Sequence, residues 1–64
     1  MITAGVDIGS LSGKTVIFED NRIVSWGLVP TGPDSAETAK EATDIALQKA
    51  NLTLDKLDFI VSTG

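Results

Sequence analysis

The chain has no cysteine and no histidine. It therefore forms no disulfide, and it lacks the commonest nitrogen ligand for a transition metal. An absence of cysteine fits the cytoplasm, and that location is the expectation. Basic residues are few: Lys14, Arg22, Lys40, Lys49 and Lys56 are dispersed against nine acidic residues, for a formal net charge of −4. Nucleic-acid binding through an electrostatic stripe is excluded by that pattern. No run is long and apolar enough to span a bilayer, so no membrane partner is expected. The N-terminus has no basic region followed by an apolar one, so no signal peptide is expected. Asn51-Leu52-Thr53 matches a glycosylation acceptor; without a secretory signal it reads as a chance match beside a helix end. There are no internal repeats, no low-complexity segments and no linker.

Length is also in short supply. A chain of 64 residues is one domain at most. Small domains bury a smaller share of their surface, so their stability alone is marginal. The expectation is that residues 1–64 are an incomplete N-terminal subdomain whose core is completed by further sequence or by a partner.

What is present is organised around Ala4 to Ile17. Ile2, Ala4, Val6 and Ile8 fall on one face of a strand of period two, with Thr3, Gly5 and Asp7 on the other. A carboxylate among such apolar residues must be paired, solvated or bound to a cation. Asp7 either caps the following turn or faces a cleft and orients a magnesium ion, usually through water. Gly9 and Gly13 allow close backbone approach. Ser10 and Ser12 add hydroxyls, Lys14 adds a positive charge, and converging backbone N–H groups suit a phosphate. The residue types fit a phosphate cradle or an ordinary hairpin turn.

Gly9-Ser10-Leu11-Ser12-Gly13-Lys14-Thr15 imitates a Walker A loop. That pattern needs four residues between its glycines and opens a helix. Here three residues intervene, and Thr15-Val16-Ile17-Phe18 continues as a strand. Spacing and context both fail.

The strands are predicted at about Ile2–Ile8, Lys14–Glu19 and Arg22–Val29. The second and third are joined by a tight Asp20-Asn21 turn, since both residues tolerate positive φ. Short turns make these three an antiparallel meander. Trp26 is expected to cover a sheet face or edge, with adenine stacking as the alternative. Gly27 marks a bulge or the close approach of another backbone. Pro30-Thr31-Gly32-Pro33 breaks the strand. Asp34 and Glu37 make a capping box for a helix running to about Ala50. Ala39, Ala42, Ala46 and Ala50 lie near one helix face, flanked by Ile45 and Leu47, and permit close packing on a sheet. The acidic residues from Asp34 to Asp44 are interleaved with Ala and Lys and form a solvated face. Asn51 suits the left-handed helix end. Leu52 to Leu57 is a short connection with one helical turn capped by Thr53. Asp58–Ser62 is a fourth strand, reached by a crossover expected to be right-handed. The fold class is therefore α/β with the order β-β-β-α-β: a three-stranded antiparallel meander and a parallel fourth strand, the opening part of a ribonuclease H-like domain.

Gly5-Val6-Asp7-Ile8-Gly9-Ser10 followed by Lys14 resembles the first phosphate motif of the actin, Hsp70 and sugar-kinase superfamily of ATPases. Within it, the likeness is to the ATPase activators of 2-hydroxyacyl-CoA dehydratases and the ATPase subunits of benzoyl-CoA reductase. Those proteins open with Gly-Ile-Asp-Val-Gly-Ser-Thr, a short polar stretch, Lys and an apolar strand. Phe59-Ile60-Val61-Ser62-Thr63-Gly64 resembles their fourth strand, which usually runs into Gly-Tyr-Gly-Arg. Leu11 departs from the pattern, standing where Thr is common, and Gly13 stands where a small hydroxyl residue or Ala is frequent. A phosphate contact through the residue 11 amide survives that change, and one through a hydroxyl does not.

The resemblance implies an ATP-hydrolysing activator that drives low-potential electron transfer to a dehydratase or reductase. It implies two subunits sharing one 4Fe-4S cluster, with its cysteines outside this sequence. Carried over, Asp7 acts on Mg2+, Gly9, Ser10, Leu11 and Ser12 cradle the β- and γ-phosphates of ATP, and Lys14 neutralises charge. The 64 residues alone are expected to be inactive and to bind nucleotide weakly or not at all. Two other readings stand beside this one. A sugar or metabolite kinase keeps the fold and changes the acceptor. A non-catalytic module would use an exposed sheet edge to bind a partner strand.

Overall fold

The period-two alternation of apolar residues produces strands where it predicts them. The computed structural model describes residues 1–63. It contains β1 (Ile2–Ile8), β2 (Ser12–Glu19), β3 (Arg22–Pro30), helix α1 (Ser35–Lys49), a single 3₁₀ turn (Leu54–Lys56) and β4 (Phe59–Thr63). The sheet order is β3-β2-β1-β4. β1 pairs with β2 and β2 with β3 in antiparallel fashion, and β1 pairs with β4 in parallel. This is the expected β-β-β-α-β arrangement. Gly64 lies outside the described residues.

Several boundaries move, and β4 shifts by one residue, from the expected Asp58–Ser62 to Phe59–Thr63. β2 starts at Ser12 rather than Lys14, and β3 runs on through Pro30. Ser12 opposite Pro30 extends the ladder at this end. Proline is tolerated there because β3 is an edge strand, where a ladder donor is not required of every residue. Asp20 and Asn21 both have positive φ, 52° and 68°, as a two-residue hairpin demands. A bulge follows: Ile17 pairs with Ser25 but Phe18 pairs with Ile23, leaving Val24 as an extra residue on β3.

Asp34 caps α1, its carboxylate accepting from the amides of Ala36 and Glu37. Such a cap contributes about 1 kcal/mol. At the other end, Asn51 has φ 57°. Its amide donates to Gln48 O at 3.1 Å, and that of Leu52 donates to Leu47 O at 2.9 Å. This pair of bonds is a Schellman closure, and it returns Leu52 to the core. The Thr53 hydroxyl bonds the Asp55 carboxylate instead of capping a main-chain amide of the 3₁₀ turn.

α1 lies on one face of the sheet, chiefly over β3 and β2. The core there joins Ala4 and Ile17 to Ala46 and Leu47, with Ile2, Leu52 and Leu57 at its margin. Of the alanine stripe, Ala42 and Ala46 are buried and Ala39 and Ala50 half-buried. Gly27 explains the close fit. A Cβ there would lie 2.2 Å from the Ala42 carbonyl oxygen, so the glycine marks the approach of another backbone. Polar side chains share this interface. Thr43 Oγ1 donates to Ala39 O at 2.7 Å, so at the 3.0 Å contact between the two hydroxyls Thr15 is the donor. Ser25 Oγ donates to Ala46 O at 2.6 Å.

Candidate functional site

The opposite sheet face carries no helix among the described residues. Asp7 and Lys14 are cross-strand neighbours on it, at the end where β1 turns into β2. Both are exposed. The ion pairs among the described residues join the Met1 ammonium to Asp20 and Lys40 to Asp44, so Asp7 has no basic partner there. Thr63, at the end of β4, brings its hydroxyl to 3.4 Å from Asp7 Oδ1, a long contact. A shallow groove of about 230 Å³ runs from Asp7 and Thr63 along Gly5, Val16, Phe18 and Val61.

The turn itself is short. Gly9 N–H donates to Ser12 O at 2.9 Å and closes it. The amides of Ser10 and Leu11 have no acceptor among the described residues. Both hydroxyl residues, Ser10 and Ser12, are exposed, and the Leu11 side chain is 86% exposed at the tip. Two glycines that look alike in the sequence differ here. Gly9 remains exposed, with ordinary space around it. Gly13 is buried, and a Cβ on it would sit 2.5 Å from Thr38 Cγ2 and 2.9 Å from Ile8 Cδ1. Gly13 thus makes room for the start of α1, not for a ligand.

One residue absent from the sequence-based site touches the turn twice. Thr31, just after β3, donates its hydroxyl to Gly9 O at 2.7 Å and its amide to Leu11 O at 3.1 Å. No local motif marks Thr31. Only the β2–β3 register, which sets Ser12 opposite Pro30, brings it beside the turn.

Mg2+ binds through one or two carboxylates together with phosphate oxygens and water. A single carboxylate at a strand end, not engaged in an ion pair among the described residues, fits that requirement. No cluster of three acidic, histidine or cysteine residues occurs among the described residues, so no protein-only metal cage is formed by them. An iron–sulfur cluster does not fit this chain, because it supplies no cysteine. Trp26 lies far along the edge strand and is half-exposed. Its carbonyl accepts from Lys49 Nζ at 3.1 Å, and the same ammonium stands 5.7 Å from the ring centroid. No helix of the described residues is long and apolar enough to cross a membrane.

No family model matches the chain. Among curated proteins, the activator of lactoyl-CoA dehydratase from Anaerotignum propionicum is 35% identical over 65 aligned positions, covering 100% of this chain and 25% of the activator. The solved structure of (R)-2-hydroxyglutaryl-CoA dehydratase component A from Acidaminococcus fermentans superposes with a TM-score of 0.88 at 28% identity, over 100% of this chain and 25% of that one. The chain is a homologue of the activator of lactoyl-CoA dehydratase. An uncharacterized protein of Methanocaldococcus jannaschii is 38% identical over 63 residues, 98% of this chain and 15% of that protein. The ROK hexokinase of Thermus thermophilus superposes at 0.80 with 26% identity, over 97% of this chain and 22% of the hexokinase. A glycerol dehydratase reactivase shares the fold at 0.81, with 21% identity over 98% of this chain and 12% of its own. The fold is that of the N-terminal portion of an actin-like ATPase. The chain spans only 15% and 25% of the length of the curated relatives it matches.

Proposed function

We propose that residues 1–64 are the opening subdomain of a cytoplasmic, ATP-hydrolysing activator of a CoA dehydratase, and that the β1–β2 turn is its phosphate site. The observation that carries this is a turn with free amides at Ser10 and Leu11, set beside an unpaired Asp7 and Lys14, in a homologue of a dehydratase activator. Asp7 orients Mg2+ through water. Ser10, Leu11 and Ser12 face the β- and γ-phosphates, Gly9 closes the turn beneath them, and Lys14 neutralises charge. Mg2+ supplies charge neutralisation at the phosphates when bound. Phosphoryl chemistry of this kind is mostly positioning and electrostatics, so the turn is one part of a site that further chain must complete.

The dehydratase component, or a benzoyl-CoA reductase in its place, is the partner in this reading, and two ATPase subunits act together. Low-potential electron transfer through a 4Fe-4S cluster belongs to the same proposal. Its ligands are assigned outside residues 1–64, since this chain has no cysteine. A second reading, a sugar or metabolite kinase, is favoured by the likeness to the ROK hexokinase. It uses the same turn and a different phosphoryl acceptor.

The test is calorimetric titration with MgATP of the longest reading frame containing this chain, with Asp7→Asn beside it. The expected result is a loss of affinity of about ten- to a hundredfold in Asp7→Asn, by analogy with groups that orient a metal's ligands. That difference should vanish when EDTA removes the metal. No binding, or binding indifferent to Asp7, overturns both ATP-dependent readings. ATP consumption that requires an added sugar would favour the kinase.

A further inference from the structure

We infer that Thr31 is the positioning residue of the β1–β2 turn, its hydroxyl fixing the direction of the Ser10 amide offered to the anion; this rests on the phosphate reading above. A trans peptide unit is planar, so its carbonyl and its N–H point in opposite directions. Thr31 Oγ1 holds the Gly9 carbonyl at 2.7 Å. The Ser10 N–H, in the same peptide unit, is thereby directed away from Thr31. The Thr31 amide holds the Leu11 carbonyl at 3.1 Å. The Ser12 N–H is thereby directed away as well. Of the two, the Ser10 N–H is the one with no acceptor among the described residues, whereas Ser12 belongs to the β2 ladder.

Thr31 is itself braced. The next amide, Gly32 N–H, donates to Thr38 Oγ1 at 3.0 Å, and that hydroxyl donates to Asp34 O at 3.1 Å. Thr38 is buried in the first turn of α1. Its methyl group fills the space above Gly13. The turn amides are therefore referred to a packed helix start rather than to a free loop. Donors held in place before the ligand arrives do not have to be ordered by it, which is the general advantage of a preorganised site. Asp7 and Lys14 need no such brace, because the strand ladder already holds their backbone.

The test uses the longest reading frame containing this chain, labelled with ¹⁵N and titrated with MgATP, in wild type, Thr31→Val, Thr31→Ala and Thr31→Ser. Valine keeps the shape and removes the hydroxyl, and alanine is the second hydroxyl-free variant. Serine keeps the hydroxyl. Wild type should show amide shifts at Ser10 and Leu11. Both hydroxyl-free variants should bind about three- to tenfold more weakly, the range for one lost hydrogen bond, and serine should restore the wild-type value. Without ligand, the two hydroxyl-free variants should show faster amide motion at Ser10 while the β1–β4 ladder amides stay unchanged. A purely structural role for Thr31 would not separate valine from serine in this way. Equal binding by wild type and Thr31→Val overturns the inference and leaves the phosphate reading standing. Absence of any MgATP-dependent shift at Ser10 and Leu11 in wild type overturns the phosphate reading, and the inference with it.

Discussion

The two faces of this sheet are built by different rules. Under α1, small and polar residues interlock. Gly27 admits the Ala42 carbonyl, Gly13 admits Thr38, and Thr15 and Thr43 share a hydrogen bond. On the other face, Phe18 is half-buried, while Trp26, Leu28, Phe59 and Val61 are more than half-exposed. β4 lies beyond the contrast: Phe59, Ile60 and Val61 are 55–57% exposed although they point alternately to both sides, so α1 leaves this strand uncovered. The covered face tolerates almost no added atoms, whereas the open face has space to spare. The charged and hydrogen-bonding groups of the candidate site lie on the side and at the end where space remains.

The comparison can be broken at its tightest point first. Gly27→Ala should destabilise the chain by about 3 kcal/mol or more, because the new methyl meets main-chain atoms that cannot rotate away. In a domain this small that is enough to unfold it, as circular dichroism in a urea series would show. A loss below about 1 kcal/mol would mean that α1 is free to lift from β3.

A smaller effect is expected at the polar contact. Thr43→Val leaves the buried Thr15 hydroxyl without its acceptor and should cost about 1–3 kcal/mol. The Thr15→Val, Thr43→Val double variant should recover most of that loss, since two apolar groups of matching shape leave nothing unsatisfied. Additive losses in a double-mutant cycle would show that the two hydroxyls are not coupled. The smallest effect belongs to the open face. Leu28→Ser should change stability by no more than about 0.5 kcal/mol, the range for surface substitutions. A loss like that of Gly27→Ala would mean that the open face is covered in solution.

Much of the fold was legible because its signals are local. Alternation marked the strands, the Asp20-Asn21 pair marked the hairpin, Asp34 marked the helix start and Asn51 its end. The likeness carried by Gly5 to Ser10 and Lys14 pointed to the dehydratase activators, and the match to the lactoyl-CoA dehydratase activator bears that out. The candidate site was legible only in part. Asp7, Ser10, Leu11, Ser12 and Lys14 could be named from their neighbours in the chain. The different surroundings of Gly9 and Gly13 could not, because a glycine's use depends on what packs against it.

By itself, then, the sequence determined the element order, the turn types, the helix ends and the set of residues gathered at the turn. Each follows from interactions within a few residues, where backbone preferences and side-chain period act directly. Tertiary structure alone decided that Gly13 and Gly27 serve the helix and that Thr15 needs Thr43. It alone decided that Thr31 holds the turn from 22 residues away. Those outcomes depend on strand register and helix placement, which bring distant atoms within hydrogen-bond and van der Waals range and leave no local mark in the chain.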